Sequence, residues 1–93
     1  DVINGYIAKS KVYKHPGENA KNLALWEKAY AEFPNDCRVM LQLMYAINRD
    51  GEYPCPPEKA KRIIALGEAI LQRSTDTVQR ENAIQCFAVY FRF

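Results

Sequence analysis

The chain has 93 residues, 48% of them hydrophobic, with 13 Lys and Arg against 11 Asp and Glu, for a formal charge of +2. This length supports one domain with a workable core of moderate stability, and the hydrophobic content is too high for disorder and too interrupted for a membrane span. So mild a charge does not by itself imply nucleic acid, and Asp1 to Gly17 lacks the basic-then-apolar layout of a secretory signal.

Apolar residues recur at helical spacing along the chain, without strand-like alternation, which predicts an all-α protein of about five helices. The first runs roughly from Val2 to Lys14, with Ile3, Tyr6, Ser10 and Tyr13 on one stripe and Pro16-Gly17 as its stop. The second runs roughly from Glu18 or Asn19 to Phe33, with Leu23, Trp26, Ala29, Tyr30 and Phe33 on one face. Pro34 ends it, and Asn35 or Asp36 can cap the next helix. The third, Cys37 to Arg49, leaves only Gln42 polar in its middle, and a helix apolar all round belongs at the centre of its neighbours. Gly51 and Pro54-Cys55-Pro56-Pro57 form a turn, and the fourth helix opens on proline, where the missing N–H does no harm. Its stripe is Ala60, Ile63, Ile64, Gly67 and Leu71. The fifth runs from Thr77 towards the end, with Ile84, Phe87, Ala88 and Phe91 at i, i+3, i+4 and i+7.

The chain also resembles itself at a spacing of 34: Gly17 recurs as Gly51, Tyr6 as Met40, Ser10 as Met44 and Tyr13 as Ile47. On these residues it resembles the tetratricopeptide-repeat family, whose period is 34 and whose pattern is W-x2-L-G-x2-Y, then A-x3-F, then P. Tyr6, Ser10, Tyr13, Gly17, Trp26, Ala29 and Pro34 match in a first repeat. In a second, Met40, Leu43, Ile47, Gly51 and Tyr53 match, followed after an insertion by Ala60, Ile64 and Gly67. Ile84, Phe87, Ala88 and Phe91 match the first helix of a third. Departures are Lys9 where leucine is usual, Asn22 where alanine is usual and Met44 where a small residue is usual. The resemblance implies an α–α superhelix of helical hairpins over residues 1–93, two repeats plus a half, and a binding scaffold rather than a catalytic pocket.

A narrower resemblance, carried by Leu25 to Asp36, Arg38-Val39-Met40 and Ile70-Leu71 followed by Ser74-Thr75-Asp76, is to the C-terminal region of bacterial helix-turn-helix regulators of the Cro/cI (XRE) type. It implies a domain that binds a peptide or protein, or dimerises, and biases a DNA-binding domain outside this chain. The alternative is a free-standing cytoplasmic adaptor of the same repeat family. The chain starts without methionine and ends at Phe91-Arg92-Phe93 on an apolar stripe with no stop signal, so a piece of a longer protein is expected. Phe87, Phe91 and Phe93, lacking a following helix to cover them, are expected to drive homodimerisation.

In such arrays the concave wall is built mainly by the first helix of each repeat. Matching the repeat positions puts Asn4, Ile7, Lys11, Lys14, Arg38, Leu41, Tyr45, Asn48, Arg49, Asn82, Gln85, Val89 and Arg92 there, with cations and no acid. The residues expected to bind peptide are Lys11, Arg38, Tyr45, Asn48, Arg49, Asn82, Gln85 and Arg92. Arg and Lys favour carboxylates, and Asn and Gln can bond a peptide main chain at both N–H and C=O, so an acidic segment or a C-terminal carboxylate is the expected partner. The plainer alternative is that these charges are only solvated. Ile7 and Tyr45 do not suit the carboxylate clamp of chaperone-tail binders.

The remaining candidates favour structure over chemistry. Met40, Met44 and Trp26 read as core. Cys37, Cys55 and Cys86, odd in number and without C-x-x-C spacing, read as reduced thiols of a cytoplasmic protein. No cation adjoins Cys55 to activate it, and Lys59, Lys61 and Arg62 make a weak phosphate cluster. The only histidine, His15, sits in a turn, so neither a zinc site nor a catalytic triad is expected. There is no Gly-rich phosphate loop, and Glu58 and Glu68 are ten apart with no pocket implied. The expectation is a non-enzyme with no cofactor, no metal and no membrane.

Overall fold

Three of the helices begin where the chain supplies a side-chain acceptor or a proline. The computed structural model describes residues 2–13, 16–49 and 57–88. They form α1 (Val2–Ser10), a short 3-10 turn (Pro16–Glu18), α2 (Asn19–Glu32), α3 (Cys37–Arg49), α4 (Pro57–Arg73) and α5 (Thr77–Ala88). Among the described residues there are five α-helices and no strand, so the protein is all-α.

The caps explain the boundaries. The Asp36 carboxylate, through Oδ1, accepts from the backbone N–H groups of Arg38 at 2.8 Å and Val39 at 3.3 Å, donors that the first turn of α3 leaves without intrahelical partners. Asp76 does the same for α5 through the Gln79 N–H at 3.0 Å. At the other end of α4, the Arg80 guanidinium reaches back to donate to the carbonyl oxygens of Leu71 and, at 3.0 Å, Ser74. The first helix is shorter than expected. Its last turn gives way to i→i−3 bonds, Val12 N–H to Lys9 and Tyr13 N–H to Ser10, while the Ser10 hydroxyl donates to the Ile7 carbonyl at 2.8 Å. A serine bonded to its own preceding turn competes with the helix ladder.

α3 is the hub, packing on α2, α4 and α5, whereas α1 packs on α2. Its Val39, Met40, Leu41, Leu43, Met44, Ala46 and Ile47 are all buried, as its nearly unbroken apolar sequence requires. Ile3 and Tyr6 of α1, Trp26 and Ala29 of α2, and Ile63, Leu66 and Ile70 of α4 complete the core around it. On α4 the buried line is thus Ile63, Leu66, Gly67 and Ile70, rotated slightly from the expected one, with Ile64 and Leu71 at its edge. On α5 the register differs. Ala83 is fully buried and Cys86 packs on the core, while Ile84 is 45% exposed. The expected stripe through Ile84 is therefore not the core face. α5 lies against both α3 and α4, and it buries its small Ala83 at the contact. The side chain of Phe87 and residues 89–93 lie outside the described part, as does the expected C-terminal docking surface.

Two cross-links brace the array. The Arg62 guanidinium makes a two-pronged ion pair with Glu27, linking α4 to α2, and the hydrogen bond between them holds Arg62 above its already high ordinary pKa. The Tyr6 hydroxyl donates to Glu32 at 2.8 Å, and its ring meets Trp26 at a centroid distance of 6.2 Å and an angle of 40°.

Candidate functional site

α1, α2 and α3 meet at one end of the array, where α1 stops, α2 starts and α3 stops. The Asn19 side-chain amide fixes this junction by donating to the Arg49 carbonyl at 3.0 Å, satisfying an end carbonyl of α3 from the first residue of α2. Between these helix ends lies a cavity of about 500 Å³ open to solvent, lined by Ser10 of α1, Asn22 and Trp26 of α2, and Gln42, Tyr45, Asn48 and Arg49 of α3.

Its chemistry is polar on an aromatic floor. Trp26 is 1% exposed and Tyr45 half-buried, so both are held in place by the core. Arg49 is exposed and, among the described lining residues, supplies the one formal charge, with no Asp or Glu beside it in that set. Burial, reinforced by the neighbouring Cys86, raises the Tyr45 pKa, so its hydroxyl keeps its proton well beyond neutral pH. Burial likewise raises the Cys86 thiol. Cys37 is raised by burial and by Asp36, against a smaller lowering by Arg73. These two thiols are therefore held protonated rather than activated.

Asn22 stands out on the wall. It is 6% exposed, and its Oδ1 has no hydrogen-bond partner. A buried acceptor left unmatched typically costs about 1–3 kcal/mol, and the neighbours on its stripe, Trp26 and Ala29, are fully buried apolar core.

Of the eight residues expected to bind peptide, Tyr45, Asn48 and Arg49 line this cavity together. Lys11, just past the end of α1, and Arg38, Asn82 and Gln85 do not line it, and Arg92 lies outside the described residues. Arg38 is turned to its own helix start, where its guanidinium pairs with Asp36 at 3.3 Å. Of the basic trio on α4, Arg62 is engaged by Glu27. Sequence reasoning passed over Asn22, Gln42 and Ser10 as wall residues. The available signal was polarity out of place: Asn22 on the apolar face of α2 and Gln42 in the apolar run of α3.

A second cavity, of about 300 Å³, is lined by Val2, Gly5, Tyr6, Lys9 and Glu32. There the main acceptor, Glu32, already receives the Tyr6 hydroxyl. Among the described residues no group of three or more His, Cys, Asp and Glu could hold a metal ion, and no helix is long and apolar enough to cross a membrane. Comparison with protein-family models, curated proteins and solved structures gave no match.

Proposed function

We propose that this chain is a tetratricopeptide-like binding domain that takes an extended, acidic peptide or protein segment between α1 and α3, and that its helical hairpins continue as a right-handed superhelix. The single observation that carries the reading is the cavity itself, with Arg49 and the amides of Asn48 and Gln42 set on an aromatic floor of Trp26 and Tyr45. Arg49 favours a carboxylate, and the amides suit a main chain that offers both donors and acceptors. Among the described residues that line the cavity the formal charge is that of Arg49, in keeping with an acidic ligand.

The ligand would act by selection. α1 rests on α2 while α3 is held by three helices, so α1 is the wall with fewer constraints. A segment bridging α1 and α3 favours one setting of that wall over another, and the difference in affinity is the energy available to shift the population. In the regulator reading, that shift biases a helix-turn-helix domain elsewhere in the same protein; in the adaptor reading, it has no DNA partner. A helix-turn-helix segment encoded directly before Asp1 distinguishes the two.

The test is an array of acidic decapeptides, with hits titrated by fluorescence of Trp26, the only tryptophan in the chain. Arg49→Glu should abolish binding of acidic hits, and the wild-type affinity should fall as salt rises, since exposed charges are screened over about 8–10 Å at physiological ionic strength. Hits that are basic or apolar, or binding indifferent to Arg49→Glu, would place the function on another face.

A further inference from the structure

We infer that the outer face of α1 is a docking surface for a second copy of this chain. The two α1 helices pack antiparallel about a two-fold axis at the level of Ile7, and Lys9 of each copy reaches the partner's Glu32.

The face is built from residues that the fold itself does not use. Val2, Gly5, Lys9 and Val12 fall at i, i+3, i+7 and i+10, a stripe beside the core residues Ile3 and Tyr6 rather than on them. Val12 lies just past α1, but its N–H bonds to the Lys9 carbonyl and keeps it in a helical turn. Val2 is 59% and Val12 69% exposed. Gly5 sits inside the helix, where only proline is a poorer former, yet a Cβ added there would meet no atom within 4 Å. Packing within the chain therefore does not ask for the missing side chain. A bare backbone is of use where a second backbone approaches closely.

Charge lies ready beside the glycine. The cavity of about 300 Å³ is lined by Val2, Gly5, Tyr6, Lys9 and Glu32. The Tyr6 hydroxyl takes Glu32 Oε1. Among the described residues Oε2 receives no hydrogen bond, and Lys9 makes no ion pair. The face thus offers one acceptor and one cation, each able to take an opposite charge from outside.

The stripe is its own complement. Val2 and Val12 are centred on the level of Ile7, and so are Gly5 and Lys9. Laid antiparallel on itself about that level, α1 sets Val2 against the partner's Val12 and Lys9 against the partner's Gly5. Each contact occurs twice, as a two-fold interface requires. The glycine lets the helices come close, the lysine stem crosses the partner's cavity, and its ammonium meets the free oxygen of the partner's Glu32. A parallel pairing would set lysine against lysine, so charge fixes the direction. One short helix from each copy makes a small interface, so association is weak and concentration-dependent.

Sedimentation equilibrium of the full chain from about 10 μM to about 1 mM spans that range. Wild type should pass from one copy towards two, and less so as salt rises. Gly5→Leu should stay monomeric throughout while melting no lower than wild type in dilute solution, because the new side chain enters open space in the single copy. Lys9→Glu and Glu32→Lys should each associate about tenfold more weakly than wild type. Mixed in equal amounts, with one of them fluorescently labelled, they should pair with each other, since both ion pairs are then restored with reversed sign in one of them. No role of Lys9 or Glu32 within a single chain produces that rescue. A wild type that stays monomeric at about 1 mM, a Gly5→Leu that associates as wild type does, or a mixture no tighter than its components each overturns the inference.

Discussion

Trp26→Ala gives the sharpest measure of how this array is held together. The indole is 1% exposed and packs against Tyr6 with ring centroids 6.2 Å apart. Truncating a buried tryptophan to alanine costs about 3–5 kcal/mol, of which the aromatic pair accounts for about 0.5–1.5 kcal/mol. Two local features set where in that range the variant falls. The space vacated opens into the 500 Å³ cavity, so water can enter and the energetic cost of an empty void is relieved. Tyr6, however, is tied by its hydroxyl to Glu32 and cannot swing in to refill the gap. The expected loss is therefore near the lower end, about 3 kcal/mol, out of about 5–14 kcal/mol for a chain of 93 residues. At about 4–8 °C per kcal/mol for a domain of this size, the melting temperature should drop by about 12–24 °C. Thermal unfolding followed by far-ultraviolet circular dichroism, with urea unfolding in parallel, measures it. Trp26→Phe, which keeps a ring against Tyr6, should lose less than half as much. A shift below about 4 °C for Trp26→Ala would mean that the indole does not join α1 to α2, and the packing scheme would be refuted.

Alkaline pH should weaken the fold. The hydrogen bond to Glu32 raises Tyr6, and burial raises Tyr45, Cys86 and Cys37. In each case the folded state prefers the protonated, neutral form, so the unfolded chain releases its proton first, near the ordinary value of 9.0 for cysteine and 10.0 for tyrosine. This contribution is thus complete below about pH 9 and is lost as pH climbs through the raised folded values; a urea midpoint that rises between about pH 8 and about pH 11 would contradict it. Asp36→Ala and Asp76→Ala should each cost about 1 kcal/mol through loss of a helix cap, read as a shift of the urea midpoint at unchanged slope. Arg62→Met should cost under about 1 kcal/mol, because its ion pair with Glu27 is partly exposed, and the difference from wild type should shrink in high salt; a larger, salt-independent loss would show that the pair is structural.

Much of the fold was legible because its signals are local. Pro34 followed by Asp36 marks the break between α2 and α3. Pro57 opens α4, and α5 starts at Thr77 as expected. The central place of α3 follows from its composition, since a helix apolar on every side must be covered on every side. The burial of Trp26, Met40 and Met44 was equally plain. Where local signals competed, the reading slipped. α1 ends at Ser10 rather than Lys14 because a serine side chain and two i→i−3 bonds take over its last carbonyls.

The face of α5 and the cavity were decided only by tertiary structure. Ala83, Ile84 and Cys86 sit on adjoining faces of one helix, and sequence spacing favours the larger Ile84 as core. Ala83 is buried instead because α5 lies against α3 and α4 together, a constraint that periodicity within one helix does not express. Tyr45, Asn48 and Arg49 could be placed on a common wall by matching repeat positions of the family the chain resembles, and they line one cavity. Asn22 could not, because it lies on α2, and its meaning comes from the ends of α1 and α3 converging on it. Periodicity reports which side of a helix turns inward. Whether a polar group there meets a partner or faces a cavity depends on which other helices arrive, and that is set by packing among segments far apart in the chain.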